Sequence, residues 1–257
     1  MTTSSSTQTR IAVVTGGSRG LGRSTVLALA DRGVDSVFTY LSNRDQADQV
    51  VQAVAERGRR AVALSLDTGD TSAFGDFVER LRPVLDELGA GRFDYLVNNA
   101  GTAHHEPIET TTEEDFDALY RVHLKGVFFL TQRLLPLLND GGRIVNLSSG
   151  LARFAFPGSA SYASMKGAVE VLTRYLAKEL GPRGITANVV APGAVATDFS
   201  GGLVRDNPEV NGRIAGLTAL GRVGQPDDIG PMIAALLSDD NGWVNAQRIE
   251  VSGGTLI

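Results

Sequence analysis

Thr15-Gly16-Gly17-Ser18-Arg19-Gly20-Leu21-Gly22 stands between an apolar run, Ile11-Ala12-Val13-Val14, and a segment of helical period carrying Leu21, Val26, Leu27 and Leu29. A strand that turns through glycine into a helix suits one ligand chemistry. Glycine permits the tight turn and lets backbone N–H groups approach a pyrophosphate at the helix N-terminus, where the peptide dipoles favour negative charge. The spacing Gly-x-x-x-Gly-x-Gly differs from the commoner Gly-x-Gly-x-x-Gly. Its position directly after the first strand nevertheless reads as dinucleotide binding rather than a plain glycine-rich turn. Gly16, Ser18, Arg19, Gly20, Leu21 and Gly22 are the candidate contacts.

Working outward, β-branched runs alternate with longer amphipathic segments. Strands are predicted at 11–15, 36–40, 61–66, 95–98, 143–147, 186–190 and 248–251, and helices at 20–31, 45–57, 71–88, 112–138, 159–180 and 226–238. Most of the strands are apolar at successive positions, as strands covered on both faces are. The pattern predicts an α/β chain over 11–257: a single-domain, doubly wound Rossmann fold with a mostly parallel seven-stranded sheet and helices on both faces. Residues 193–222, rich in Gly and Asn, break the alternation and read as a substrate lid. Residues 1–10 are Ser/Thr-rich, lack the apolar run of a signal peptide and read as a frayed, disordered tail.

Composition narrows the classes. The 257 residues include no cysteine, which excludes disulfides, thiolate metal sites and cysteine nucleophiles and suits a reducing compartment. Acidic residues outnumber basic ones, 29 to 24, without a basic cluster, so neither nucleic acid nor an anionic membrane is an expected partner. No apolar stretch spans a bilayer and nothing has metal-ligand spacing; His104 and His105 read as paired surface histidines. A soluble, cytoplasmic protein acting on a small molecule is expected.

Charge indicates the dinucleotide. After the second strand, Thr39-Tyr40-Leu41-Ser42-Asn43-Arg44 offers no acid to hold a ribose 2′-hydroxyl before Asp45. Arg19 and Arg44 could clamp a 2′-phosphate with Ser42 donating a hydrogen bond, which favours NADP(H). The alternatives are two solvated arginines and an NAD-preferring enzyme.

Tyr162-Ala163-Ser164-Met165-Lys166 places a phenol and an ammonium on one helical face. The ammonium is expected to lower the phenol pKa, suiting a tyrosine that exchanges a proton with a substrate oxygen. An ordinary polar helix face would look the same. However, Ser148-Ser149 ends the preceding strand, and Asn98-Asn99-Ala100-Gly101 ends another at the same sheet edge, where ligands bind.

Taken in order, these motifs and Pro192-Gly193 followed by Thr197 resemble the short-chain dehydrogenase/reductase family, in particular its branch of ketoreductases like 3-oxoacyl-carrier-protein reductase. The resemblance covers the chain after residue 10. It implies an NADP(H)-dependent oxidoreductase interconverting a carbonyl and an alcohol, in a homotetramer. Tyr162 would be the acid/base, Ser149 would hydrogen-bond the reacting oxygen, and Lys166 would hold the nicotinamide ribose and acidify Tyr162. Asp67 would contact adenine and Asn98 would brace the cleft beside Ala100 and Gly101. Val195 and Thr197, after Pro192 and Gly193, would meet the nicotinamide carboxamide. One departure is His123, which stands where the family has the asparagine of a water-linked proton relay; it is either a substituted relay or a tolerated replacement. A non-catalytic dinucleotide sensor should lack Ser149, Tyr162 or Lys166, and a lyase or epimerase should carry a second domain; neither applies. Leu151, Phe154, Phe156, Phe199 and Leu203 form either an apolar pocket or lid packing. Phe128, Phe129, Val169 and Leu172 exceed one buried helical stripe, which suits an oligomer.

Overall fold

Seven short apolar runs become one parallel sheet in the computed structural model, which describes residues 9–257. The strands are β1 (Ile11–Val14), β2 (Asp35–Tyr40), β3 (Ala61–Ser65), β4 (Phe93–Asn98), β5 (Leu138–Leu147), β6 (Thr186–Pro192) and β7 (Arg248–Val251). Their order is β3-β2-β1-β4-β5-β6-β7, and every neighbouring pair is parallel. The order reverses between β1 and β4, which opens a crevice beyond the carboxyl ends of those strands. The connecting helices are α1 (Gly20–Ala30), α2 (Arg44–Ala55), α3 (Phe74–Glu87), α4 (Glu113–Tyr120), α5 (Gly126–Leu134) and α6 (Ala160–Leu180). Then come α7 (Leu203–Asp206), α8 (Pro208–Gly216) and α9 (Pro226–Leu236).

Alternate residues of each strand serve opposite faces. Ala12, Val14, Phe38 and Val145 pack with Val26 and Leu29 of α1, Val50 and Val54 of α2, and Ile229 and Ile233 of α9. Ile11, Val13, Val37, Leu96 and Ile144 pack with Phe77 and Leu81 of α3, Leu130 and Leu134 of α5, and Ala177 of α6. Helices cover both faces, so apolar residues stand at successive positions in the middle of these strands. Each such fully buried Leu or Phe contributes about 1.5–3 kcal/mol by transfer from water.

Two expectations change. The single helix expected over 112–138 is α4, a π-helical turn at Arg121–Lys125, then α5 and a short 3-10 turn at Leu135–Leu137. Pro136 has no N–H with which to continue the ladder, so the chain enters β5 at Leu138 rather than at Arg143. Residues 193–222 are not irregular throughout, because they carry α7 and α8. The tail expected over 1–10 falls outside the described residues except at its end, where Arg10 is anchored by Tyr95 and by Asp239 at 2.6 Å. Among the described residues, no helix is long and apolar enough to cross a membrane.

Candidate active site

One cleft of about 550 Å³ opens at the carboxyl edge of the sheet. Its floor is the turn after β1. Gly16 has φ +67°, and a Cβ on Gly22 would lie 2.1 Å from the Gly16 carbonyl oxygen, so neither position accepts a side chain without distortion. Thr15 Oγ1 accepts the backbone N–H groups of Asn99 and Ala100, each at 2.9 Å, and the Asn99 amide donates to the carbonyls of Thr15 (2.8 Å) and Gly16 (3.0 Å). The turn and the end of β4 are therefore one unit. Helix α1 starts with no side-chain cap and no acid in its first turn, leaving its first N–H groups free for an anion. Gly16, Ser18, Arg19, Gly20 and Leu21 line the cleft, whereas Gly22 lies behind it. The uncapped helix and the glycine cradle fit a dinucleotide pyrophosphate.

At the β2 end, only part of the expected 2′-phosphate clamp is assembled. Arg19 lines the cleft, 3.8 Å from Asp198. Ser42 and Arg44 do not line it: the Arg44 guanidinium is bonded to Asp48 at 3.1 Å, one helical turn on. An i,i+4 partner on α2 outcompetes an open cleft for this exposed side chain. Asp67 lines the cleft and accepts the Gly69 N–H at 2.8 Å. Ala100, Gly101, Pro192, Gly193, Val195 and Thr197 line it as well.

Ser149, Tyr162 and Lys166 meet in the same cleft with His123. Ser149 caps the 3-10 turn Gly150–Ala152, its Oγ accepting the Leu151 N–H at 3.2 Å. Lys166 Nζ donates to the Leu147 carbonyl at 2.8 Å and lies 5.6 Å from the centroid of the Tyr162 ring. Burial pushes the Lys166 ammonium down to about 7. The expected acidification of Tyr162 is not what its surroundings produce. Burial raises the phenol well above its usual value, and the nearby Ser149 hydroxyl draws it only part of the way back. Sequence spacing reveals charge proximity, but desolvation is larger here.

The π-helical turn carries His123 into the interior, where it is 1% exposed and meets the Tyr162 ring edge-on at 5.2 Å. Its Nε2–H donates to the Thr102 carbonyl at 2.7 Å, while Nδ1 is buried with no partner among the described residues. Burial, then the Lys166 charge, pushes its pKa down to about 3, so the imidazole is neutral at ordinary pH.

The family model described as enoyl-(acyl carrier protein) reductase matches residues 16–255. A short-chain type dehydrogenase/reductase of Picea abies is 35% identical over 256 residues, covering 95% of this chain and 92% of its own. The chain belongs to the short-chain dehydrogenase/reductase family. Among solved structures, the promiscuous reductase LugOII, which catalyses keto-reduction at C1 during lugdunomycin biosynthesis, superposes with a TM-score of 0.92. It is 38% identical, and the match covers 98% of this chain and all of LugOII. The landomycin C-6 ketoreductase LanV, solved with bound NADP and rabelomycin, superposes with a TM-score of 0.87 at 36% identity, covering 96% of each chain.

Around the remaining expected residues of this short-chain dehydrogenase/reductase, Thr131, Asn146, Thr173, Val210 and Ile214 were not singled out in the sequence. Asn98 does not line the cleft; its amide donates to Asn146 (2.8 Å) and Thr131 (3.1 Å), and Asn146 donates to Thr173 (2.9 Å). This buried chain ties β4, β5, α5 and α6 together beneath the site. Asn99 braces the turn, a role its place in the quoted motif could have suggested. His105 lines the cleft between Ser159 (3.3 Å) and Ser200 (3.2 Å), while His104 Nε2 lies 3.5 Å from an Asp115 carboxylate oxygen. Leu151, Phe154, Phe156, Phe199 and Leu203 all line the cleft, joined by Val210 and Ile214 of α8.

Proposed function

We propose that this chain is an NADP(H)-dependent carbonyl reductase that interconverts a ketone or aldehyde with its alcohol, with Tyr162 as general acid and base. The observation that carries this assignment is the convergence of Ser149, Tyr162 and Lys166 in the cleft floored by the glycine turn. NADP(H), when bound, supplies or accepts the hydride. The NADP held by LanV supports this cofactor, as does Arg19 at the cleft with no acid at Leu41. Burial keeps the Tyr162 phenol protonated, so it holds the proton that a reduced carbonyl oxygen must receive. Ser149 hydrogen-bonds that oxygen and orients it. Lys166, fixed at the Leu147 carbonyl, holds the ribose beside the Tyr162 ring. His123 takes part as a neutral imidazole whose Nδ1 can accept from water, not as a group that becomes charged.

The apolar wall formed by Phe154, Phe156, Phe199 and Ile214 suits a bulky, largely apolar ketone and excludes water. The keto-reduction ascribed to LugOII and the ketoreductase LanV with its bound rabelomycin support a ketone substrate. A homotetramer is part of the same proposal. Phe128, Phe129, Val171 and Tyr175 of α5 and α6 are exposed, although Val169 turns into the interior and Leu172 is partly covered. A closed assembly would cover these aromatic rings. A chain without cysteine suits the reducing cytoplasm.

The test is NADPH consumption across aliphatic ketones, β-ketoesters, bulky aromatic ketones and conjugated enones, with product analysis. Alcohol formation fastest with the bulky ketones is expected. No consumption with any carbonyl, or reduction of the C=C bond alone, would overturn the assignment.

A further inference from the structure

Outside the cleft lining, a group of four charged side chains surrounds the backbone of Ser149. Arg248, at the start of β7, is its hub. The Arg248 Nε donates to Glu170 at 2.7 Å, Nη1 to Glu250 at 3.0 Å, and Nη2 to the carbonyl oxygen of Ser149 at 3.3 Å. Both carboxylates reach on to the neighbours of Ser149. The Glu170 oxygen that meets Arg248 also accepts the Ser148 hydroxyl at 2.7 Å. The Glu250 oxygen also accepts from Arg153 at 3.3 Å, the residue that closes the turn capped by Ser149. The second Glu250 oxygen accepts the Ser252 hydroxyl at 2.9 Å, and Ser252 is so close to Gly193 that a Cβ there would lie 2.9 Å from it. Arg248 thus holds the Ser149 carbonyl directly, and the side chains of Ser148 and Arg153 through the two glutamates it grips.

We infer that Arg248 is a positioning residue for Ser149: its fork holds the Ser149 carbonyl together with the two glutamates that grip the side chains of Ser148 and Arg153, and so aims the hydroxyl into the cleft. The chemistry suits the task. A guanidinium presents donors in a rigid plane, so three acceptors held at once define an orientation that a single point charge cannot. Glu170 and Glu250 are each 15% exposed and Arg248 23%, so the charges are largely withdrawn from water and each has a partner of opposite sign. Glu170 also lies one helical turn beyond Lys166 on α6, so the same hub links the serine to the helix that carries Tyr162 and Lys166. The inference rests on Ser149 being the group that meets the reacting oxygen.

A double-mutant cycle tests it, because a merely structural arginine would cost the same with or without Ser149. With saturating NADPH and the best ketone, Arg248→Met should lower kcat about 10- to 100-fold, the usual penalty for slight misplacement of a catalytic group. NADPH affinity should change less than about twofold, since Arg248 lies outside the cleft. In a Ser149→Ala background the same substitution should cost less than about twofold more. Arg248→Lys keeps a charge opposite both glutamates and guards against a variant that fails to fold. It should show the same Ser149-dependent loss, at least about threefold, because an ammonium cannot span all three acceptors. Equal losses in both backgrounds, or no loss in the parent background, would overturn the inference. A readout independent of turnover is exchange of the Leu151 amide, which is bonded to Ser149 Oγ. By NMR it should exchange faster in Arg248→Lys. Unchanged protection overturns the inference whether or not the parent is active, whereas a parent that consumes no NADPH with any carbonyl overturns the proposed activity instead.

Discussion

Replacing Lys166 with methionine removes a buried charge at nearly constant volume, and its consequence for stability has a definite sign. The ammonium is 5% exposed as a residue, and its one protein hydrogen bond is to the Leu147 carbonyl. Burial lowers its pKa from 10.5 to about 7. Between those values the unfolded chain carries a proton on this lysine and the native chain does not. Native stability should therefore rise with pH across that window, at up to about 1.4 kcal/mol per unit. Taken over the whole interval this is roughly 5 kcal/mol as an upper bound. Leaving the Leu147 carbonyl unpaired in the variant returns about 1–3 kcal/mol of that. Ligand-free Lys166→Met should accordingly be more stable than the parent at pH 7, by a margin that shrinks steadily towards pH 10. Urea unfolding of both proteins at several pH values reads this directly. A difference that does not change with pH would refute the buried, pKa-depressed lysine. The same variant should lose NADPH affinity and turnover, since stability and function make opposite demands on this side chain.

Further expectations follow from neighbouring geometry. Gly22→Ala places a methyl carbon 2.1 Å from the Gly16 carbonyl and 2.5 Å from the Asn99 amide, so NADPH binding by fluorescence titration should weaken at least about tenfold. Arg19→Ala should reduce the preference for NADPH over NADH about tenfold or more, while Arg44→Ala, already paired with Asp48, should change it less; the reverse order would move the clamp to α2. His123→Asn should leave the kcat–pH profile unchanged from pH 5 to 9, because the imidazole it replaces is neutral there; a lost titration would show that His123 ionises during turnover. Light scattering should give four chains per particle, and a monomer at micromolar concentration would contradict the proposed tetramer.

Much of the fold can be read from the sequence because the central strands are buried on both faces, so that Ile11–Val14 and residues 37–38, 95–97, 144–145 and 189–191 show as successive apolar residues. The boundaries that shift do so for local reasons. Pro136 ends a helix whose apolar period continues past it, and one extra residue in the turn at Arg121–Lys125 redirects His123. Most residues expected at the site converge where short local motifs hold them, at 16–21, 100–101, 149, 162–166 and 192–197, with Gly22 and Asn98 packed behind the lining. Ser42 and Arg44 do not join them, because an exposed arginine's orientation depends on a competitor such as Asp48, which motif spacing ignores. The raised phenol of Tyr162 was hidden for a related reason: spacing places Lys166 nearby but says nothing of how completely both are withdrawn from water. Glu170, Arg248 and Glu250 lack any sequence signal, since the network that links them to Ser148 and the Ser149 carbonyl is formed only by folding.

The most direct test of the central claim is turnover of Tyr162→Phe with a ketone substrate and NADPH. The phenol is 7% exposed and packed edge-on against His123, so removal of its oxygen leaves the ring and its packing in place. General acid catalysis is worth about 10²–10⁴-fold, and kcat should fall by that much or more, while the Kd for NADPH stays within about twofold of the parent. Turnover close to the parent value would mean that the proton comes from another group.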